Sequence, residues 1–223
     1  GYALEAHSAP AALAAFADSF AVSQNLIAHL PMVVAPAVEL DLEGSLNHLE
    51  ATLYFRYGDR PRQAAGTETK GFLTDPQDLD RLLMPDIAAE RSAVEALQRW
   101  EFAGPNAKGA FVLKDKSAIL RFFAHGFPKL DAAWKITTGP RFDHASQQVE
   151  PVTATFEFTS SGENWFAMEL EFDTPSGGRF SREEIQRLLQ KGQNHQQVKG
   201  GKIAVIEAMK TEKEPALFKD GTI

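Results

Sequence analysis

The acidic ladder Glu169, Glu171 and Asp173, inside the stretch NWFAMELEFD, is the first group whose residue types and spacing could do chemistry. Two carboxylates enclosed together, with their pKa values pushed apart, can divide general acid and general base work between them. The spacing argues for a blander role. Side chains two apart on a strand share a face, and Phe166, Met168, Leu170 and Phe172 hold the alternate positions. The apolar set must face a core, so the carboxylates are expected to face water. A small enzyme using Glu169 and Glu171 stays open as an alternative, as does a stand-alone protein-binding scaffold.

Other chemistry is sparse. The six histidines (His7, His29, His48, His125, His144 and His195) are scattered, with no two-histidine helical motif and no adjoining acidic ligands, so no metal site is expected. His125, beside Gly126, reads as a residue at a helix C-terminus. FDHAS, residues 142–146, sets Asp143 beside His144 without a serine elbow and reads as a loop. KGGK, residues 199–202, lacks the hydroxyl and the long glycine loop of a phosphate cradle and reads as a hairpin turn. Catalytic, cofactor-binding and metal-binding residues are therefore all expected to be absent, and no cofactor is implied.

Two stretches run against the acidic total of the chain. Six cations, Arg179, Arg182, Arg187, Lys191, Lys199 and Lys202, stand against two acids, Glu183 and Glu184. From Lys108 to Lys135 the count is again six against two. The first set is the candidate nucleic-acid contact, since clustered Lys and Arg can follow phosphates. The competing reading is an ordinary solvated face. Trp100, Trp134 and Trp165 could stack on bases, but tryptophan at the ends of strands and helices belongs more often to a core.

A chain of 223 residues with 43% apolar and 24% charged residues is expected to be globular and to bury a real core. Its net charge of −7 opposes broad attraction to nucleic acid or to anionic membranes, so such contacts would have to be local. The absence of cysteine excludes disulfides and thiolate chemistry and fits a reducing, cytoplasmic setting. AALAAF and LPMVVAPAV are too short or too broken by proline to span a bilayer, and no membrane partner is expected. Gly1 at the start, and the turn residues of FKDGTI with almost nothing after them, are expected of a segment taken from a longer protein.

The periodicities supply the elements. Leu13, Phe16 and Phe20 predict a helix within residues 9–30, closed by Pro31 and Pro36. Period-two alternation over residues 38–58 predicts an antiparallel hairpin, followed by a polar loop over 59–71. Asp86 is placed to cap a helix reaching Trp100, with Ile87, Val94, Leu97 and Trp100 near one face. AFVLKD predicts a strand, Asp115 caps a helix closed by Gly126 and Pro128, and WKITTG predicts another strand. Val152 to Phe158 and Phe166 to Phe172 make a second hairpin. Ser181 and Glu184 have capping-box spacing before Ile185, Leu188, Leu189 and the closing Gly192, and KIAVIEA offers a last strand.

The order AAERSAVEALQRWEF, GAFVLKDKSAILRFFAHGFPKLDAAWKI, VTATFEFTSSGENWFAMELEF and FSREEIQRLLQKGQNHQQVKGGKIAVI resembles the helicase-associated region of bacterial Swi/Snf-family DNA translocases. The resemblance covers residues 86–207 and is strongest at NWF and in its spacing to LLQKG. KGQNHQQVKGGK departs from the pattern, standing where a run of strand residues is expected. The family's full-length proteins are ATP-dependent motors that track duplex DNA in the bacterial cytoplasm. The phosphate loop, acidic magnesium motif and arginine finger of such a motor are absent from these 223 residues. The resemblance therefore implies a non-catalytic accessory or regulatory domain that docks on the motor of its own parent chain. Double-stranded DNA and the transcription machinery are further partners it implies. The expected fold is α+β, antiparallel hairpins and sheet with a few packed helices, in two lobes: 1–75 with the N-terminal helix and hairpin, and 76–223 as the mixed helicase-associated lobe.

Overall fold

The computed structural model describes residues 32–67, 73–74, 82–160, 166–198 and 200–207. The helix expected within 9–30 lies outside the described residues. The chain divides into two compact units that alternate along it. The first takes the described residues of Gly1–Gly44, His48–Leu113 and Leu130–Phe142. The second takes those of Ser45–Asn47, Lys114–Lys129 and Asp143–Ile223.

In the first unit, β2 (Ala37–Ser45) and β3 (His48–Arg56) are neighbours in one sheet, the expected hairpin. Leu49, Ala51, Leu53, Phe55 and Tyr57 are buried, whereas Glu50 is exposed and Thr52, Tyr54 and Arg56 are half-buried. This is the period-two burial of a strand with one face on a core. β7 (Ala110–Leu113) pairs antiparallel with Leu49–Thr52 of β3, setting the fully buried Phe111 opposite Ala51. β4 (Gln63–Ala64) pairs with Tyr54 and Phe55, so part of the expected 59–71 loop is strand. β8 (Lys135–Thr138) lies parallel to β2, with Ile136 opposite Leu40. A smaller sheet runs β1 (Met32–Val34), β6 (Leu82–Pro85), β5 (Leu73–Thr74).

Helix α1 (Ile87–Gln98) begins where expected, because the Asp86 carboxylate accepts from the Ala89 amide at 2.9 Å. Its buried residues are Ala93 and Leu97, while Ile87 in the first turn is exposed. Tyr57 donates to a Glu90 carboxylate oxygen at 2.6 Å, and burial holds the Glu90 carboxyl above its ordinary range despite that bond.

Glu39 occupies a polar position of β2 yet is only 7% exposed. Arg56 explains it, with Nη2 at 2.6 Å from Oε1, and Arg62 Nη1 reaches the other oxygen at 3.5 Å. Arg62 also meets Asp41 at 3.1 Å and lies 3.9 Å from the Tyr54 ring centroid. The residues alternating with the apolar stripe thus form a charged network.

In the second unit the sheet order is β11 (Arg179–Phe180), β10 (Phe166–Asp173), β9 (Val149–Ser160), β13 (Ile203–Ile206), β12 (His195–Gln197). β9 changes partner along its length. Val149–Val152 pair parallel with β13, and Thr153–Ser160 pair antiparallel with β10. α2 (Lys116–Arg121) is capped by Asp115, which accepts from the Ala118 amide at 2.8 Å, and continues through a π turn, Phe122–Gly126, into a 3-10 turn, Phe127–Lys129. His125 lies inside that π turn. It stands in the last turn, as expected of a residue at a helix C-terminus, and it is also buried, with its Nε2 donating to the Val205 carbonyl at 3.0 Å. α3 (Pro140–Gln147) contains FDHAS, correcting the loop reading. Proline is at home in the first helical position, and Phe142 and Ala145, three apart, are both buried.

α4 (Arg182–Gln190) carries the full capping box, Glu184 N to Ser181 Oγ at 3.2 Å and Ser181 N to Glu184 Oε2 at 2.9 Å. Ile185 packs with Val152, Phe180, Ala204 and Ile206, and Phe172 and Leu188 lie against that cluster. Leu120, Ala124 and Val205 form a second cluster, joined by Leu46 from the hairpin turn.

The fold is therefore α+β, with sheets that are mixed rather than purely antiparallel. Each parallel pair, β1 with β6, β2 with β8 and β9 with β13, joins segments far apart in sequence. At the described end of the acidic ladder Leu170, Glu171, Phe172 and Asp173 are all half-buried, so burial does not alternate there. Phe172 packs on the core, and Glu171 and Asp173 pair across the strands with Thr155 and Thr153. The side chain of Glu169 lies outside the described residues. Among those described, no group of acidic and histidine side chains is placed to hold a metal ion, and no helix is long and apolar enough to cross a membrane.

Candidate functional site

Within the second unit the chain leaves α4 through Gly192, whose φ of +67° suits the left-handed position that ends a helix. The Gln193 amide closes the turn on the Leu188 carbonyl at 3.0 Å. Asn194 follows and is buried. Its backbone oxygen accepts from Ile206 N at 2.8 Å and its side-chain Nδ2 donates to the Ser117 carbonyl at 3.3 Å. The next residues, His195–Gln197, form β12 against β13.

This arrangement encloses an open cleft of about 700 Å³. From α4 and the following turn come Leu188 and Gln193, and from β12 come His195, Gln196 and Gln197. Ile203 of β13, Gln148 just before β9, Gly201 of the preceding turn and Lys116, the first residue of α2, complete the wall. Among the described residues no carboxylate lines it, in a chain whose net charge is −7.

The hydrogen bonds fix the tautomer of His195. With Nδ2 of Asn194 committed to Ser117, Oδ1 of Asn194 faces Nδ1 of His195 at 3.0 Å and can only accept. Nδ1 therefore carries the proton, and Nε2 keeps its lone pair. Partial burial, and after it the positive charge of Lys116, hold His195 below the usual imidazole range, so the ring is neutral near pH 7. Gln148 is held from behind by His144, ring Nε2 to amide Nε2 at 2.9 Å. The side-chain amides of Gln193, Gln196 and Gln197 have no partner among the described residues.

Of the basic residues singled out from sequence, the described ones, Arg179, Arg182, Arg187, Lys191 and Lys202, do not line the cleft. Arg179 is exposed on β11, 3.6 Å from Asp173, and Arg182 opens α4. Arg187 and Lys191 are exposed on α4 and at its C-cap. Lys199 lies outside the described residues. Lys202 is committed to Glu150, Nζ to Oε2 at 3.4 Å. The polar lining comes instead from Gln148, Gln193, His195, Gln196 and Gln197 together with Lys116, a member of the other basic stretch. Trp100 and Trp134 are half-buried and belong to the first unit, and Trp165 lies outside the described residues.

Glu150 anchors this edge of the sheet. Burial pushes its carboxyl up, but hydrogen bonds from Ser176 (2.6 Å) and Thr174 and the charge of Lys202 outweigh burial and hold it below its ordinary range. Glu207 is likewise lowered, chiefly by its bond from Lys129 at 2.7 Å. Each folded value lies below the unfolded one, so each group contributes stability above the unfolded pKa, about 4.3. That contribution is lost as pH falls through the folded value. Urea midpoints between pH 6 and pH 3 are expected to fall steeply for the native chain and less steeply for Glu150→Gln. Equal slopes would show that Glu150 is not ionised in the fold.

Neither the curated proteins nor the solved structures contain a match to this chain. The family profile described as bacterial SNF2 helicase associated matches residues 19–197, starting well before the 86–207 span of the resemblance and ending at the last residue of β12. Since that match takes in far more than half of the 223 residues, the chain belongs to the bacterial SNF2 helicase associated family.

Proposed function

We propose that this chain is a non-catalytic accessory domain of a bacterial, cytoplasmic SNF2-type ATP-dependent helicase, docking on the motor of its parent chain and contacting DNA through the exposed cations around α4. The family match over residues 19–197 carries the reading. The exposure of Arg187 and Lys191, with Arg179 nearby in sequence, supports the DNA contact because these cations stand at the surface of a unit whose overall chain is acidic. Lys202 contributes less, being tied to Glu150. Docking is tested in the parent helicase by deleting this region, with an altered DNA-stimulated ATPase rate expected and an unchanged rate overturning it.

The DNA contact is tested by anisotropy of a labelled duplex across a salt series. Each phosphate neutralised contributes about −0.9 to the slope of log affinity against log salt. Arg187→Gln with Lys191→Gln is therefore expected to make the slope shallower by about 1.8. An unchanged slope removes these two residues from the contact, and no binding at the lowest salt removes the DNA role.

A further inference from the structure

We propose that the cleft between α2, α4 and β12 is a nucleotide-binding site, in which Lys116 and His195 hold a phosphate and the glutamine amides, above Leu188 and Ile203, hold an unstacked base. Three observations converge. The cleft, at about 700 Å³, is in the size range of small-ligand pockets and has room for a nucleotide. Among the described residues its wall carries a cation and no carboxylate, so a phosphate meets attraction there that the acidic chain otherwise denies it. Its remaining lining pairs half-buried apolar side chains, which accept the face of a base, with amides that can both donate to and accept from a base edge.

The Asn194 clamp gives the site preorganisation. It is held to Ser117, the residue after Lys116, so the same buried amide sets both the imidazole and the start of α2. His195 Nε2 is left facing no protein partner among the described residues, and it can take up a proton when a phosphate arrives. Among the described residues, Lys116 of α2 is the charged group that lines the cleft with His195, and Lys202 is committed to Glu150. A phosphate bound beside the ring brings negative charge to it, so phosphate binding must raise the affinity of His195 for protons. Stacked duplex DNA offers no free base, so the source is a single strand or a free nucleotide.

This inference rests on the nucleic-acid reading above only for the case in which the nucleotide belongs to a strand. The experiment follows the His195 ring signals by NMR in the whole chain during titration with inorganic phosphate, AMP, a short single strand and a duplex. AMP is expected to bind near 1 mM, several-fold tighter than phosphate, and to move His195 toward its protonated shift. Lys116→Gln, an exposed substitution that leaves the fold intact, is expected to weaken AMP about tenfold. Lys108→Gln, outside the cleft, should leave it unchanged. A single strand moving the same signals assigns the source to nucleic acid, and AMP alone assigns it to a free nucleotide. AMP no tighter than phosphate, or His195 unmoved by every probe, overturns the proposal. The Arg187 and Lys191 salt slope is read separately, so either idea can fail without the other.

Discussion

Replacing Phe111 with alanine is expected to lower the unfolding free energy by about 3–5 kcal/mol, the range for removing a fully buried aromatic ring whose neighbours relax only in part. Phe111 is 0% exposed and sits opposite Ala51 on β3, a small partner that leaves room for the ring and cannot fill the space once it is gone. The ring also limits its surroundings, because a Cβ added at Gly104 would come within 3.1 Å of Phe111 Cδ1. Phe111→Leu, which keeps most of the volume, should cost less than about 1.5 kcal/mol. Urea unfolding followed by tryptophan fluorescence suits the measurement, since Trp100 and Trp134 both belong to the first unit. A loss under 1 kcal/mol for the alanine variant would mean that the ring is not part of a close-packed core.

The second large effect comes from charge. Arg56→Leu leaves the Glu39 carboxylate, whose side chain is 9% exposed, with Arg62 at 3.5 Å as its one ion-pair partner among the described residues. Removing one partner of a buried pair costs about 3–5 kcal/mol, and the 40% exposure of Arg56 reduces the expected value to about 2–3 kcal/mol. Adding Glu39→Leu should restore at least half of that loss, because the double variant buries no unpaired charge. If the double variant is no better than Arg56→Leu alone, the carboxylate is reached by water and the network contributes little.

Much of the fold was legible where one physical rule acts over a short stretch. The stripe from Leu49 to Tyr57 is visible because burial on one face imposes a period of two. Asp86, Asp115 and Ser181 could be assigned as caps because each lies three residues before the amide it accepts from. The failures have equally definite causes. Glu39 reads as a wet position, since nothing in VELDL reveals that Arg56 and Arg62 arrive from later segments to neutralise it. The helix at Pro140 is hard to read because FDHAS is polar and lacks a clear apolar stripe, and its one signal is a proline at the first helical position. The strands β8 and β13 could be found, but their parallel partners could not, because parallel pairing needs a crossover that no local pattern encodes.

The cleft was legible only in pieces. QNHQQ stood out as a departure from the strand residues expected there, and Lys116 belonged to a basic stretch already noted. What brings them together is a bond spanning 77 residues, from Asn194 to Ser117, and glutamines carry no spacing signature comparable to that of metal ligands or nucleophiles. The basic residues of Arg179 to Lys202 are conspicuous by charge, whereas four of the nine described residues lining the cleft are uncharged glutamines.

The alternation of the two units along the chain bears on how the protein is made. β8 completes the first unit's larger sheet from residues 135–138, after Lys114–Lys129 has already been contributed to the second unit. A nascent chain leaving the ribosome must therefore hold the β2 edge open while some ninety residues emerge, and it cannot finish one unit before starting the other. No single cut releases either unit whole, so a library of truncations is expected to yield mainly insoluble products. A recombination event that respects this domain has to move both units as one cassette.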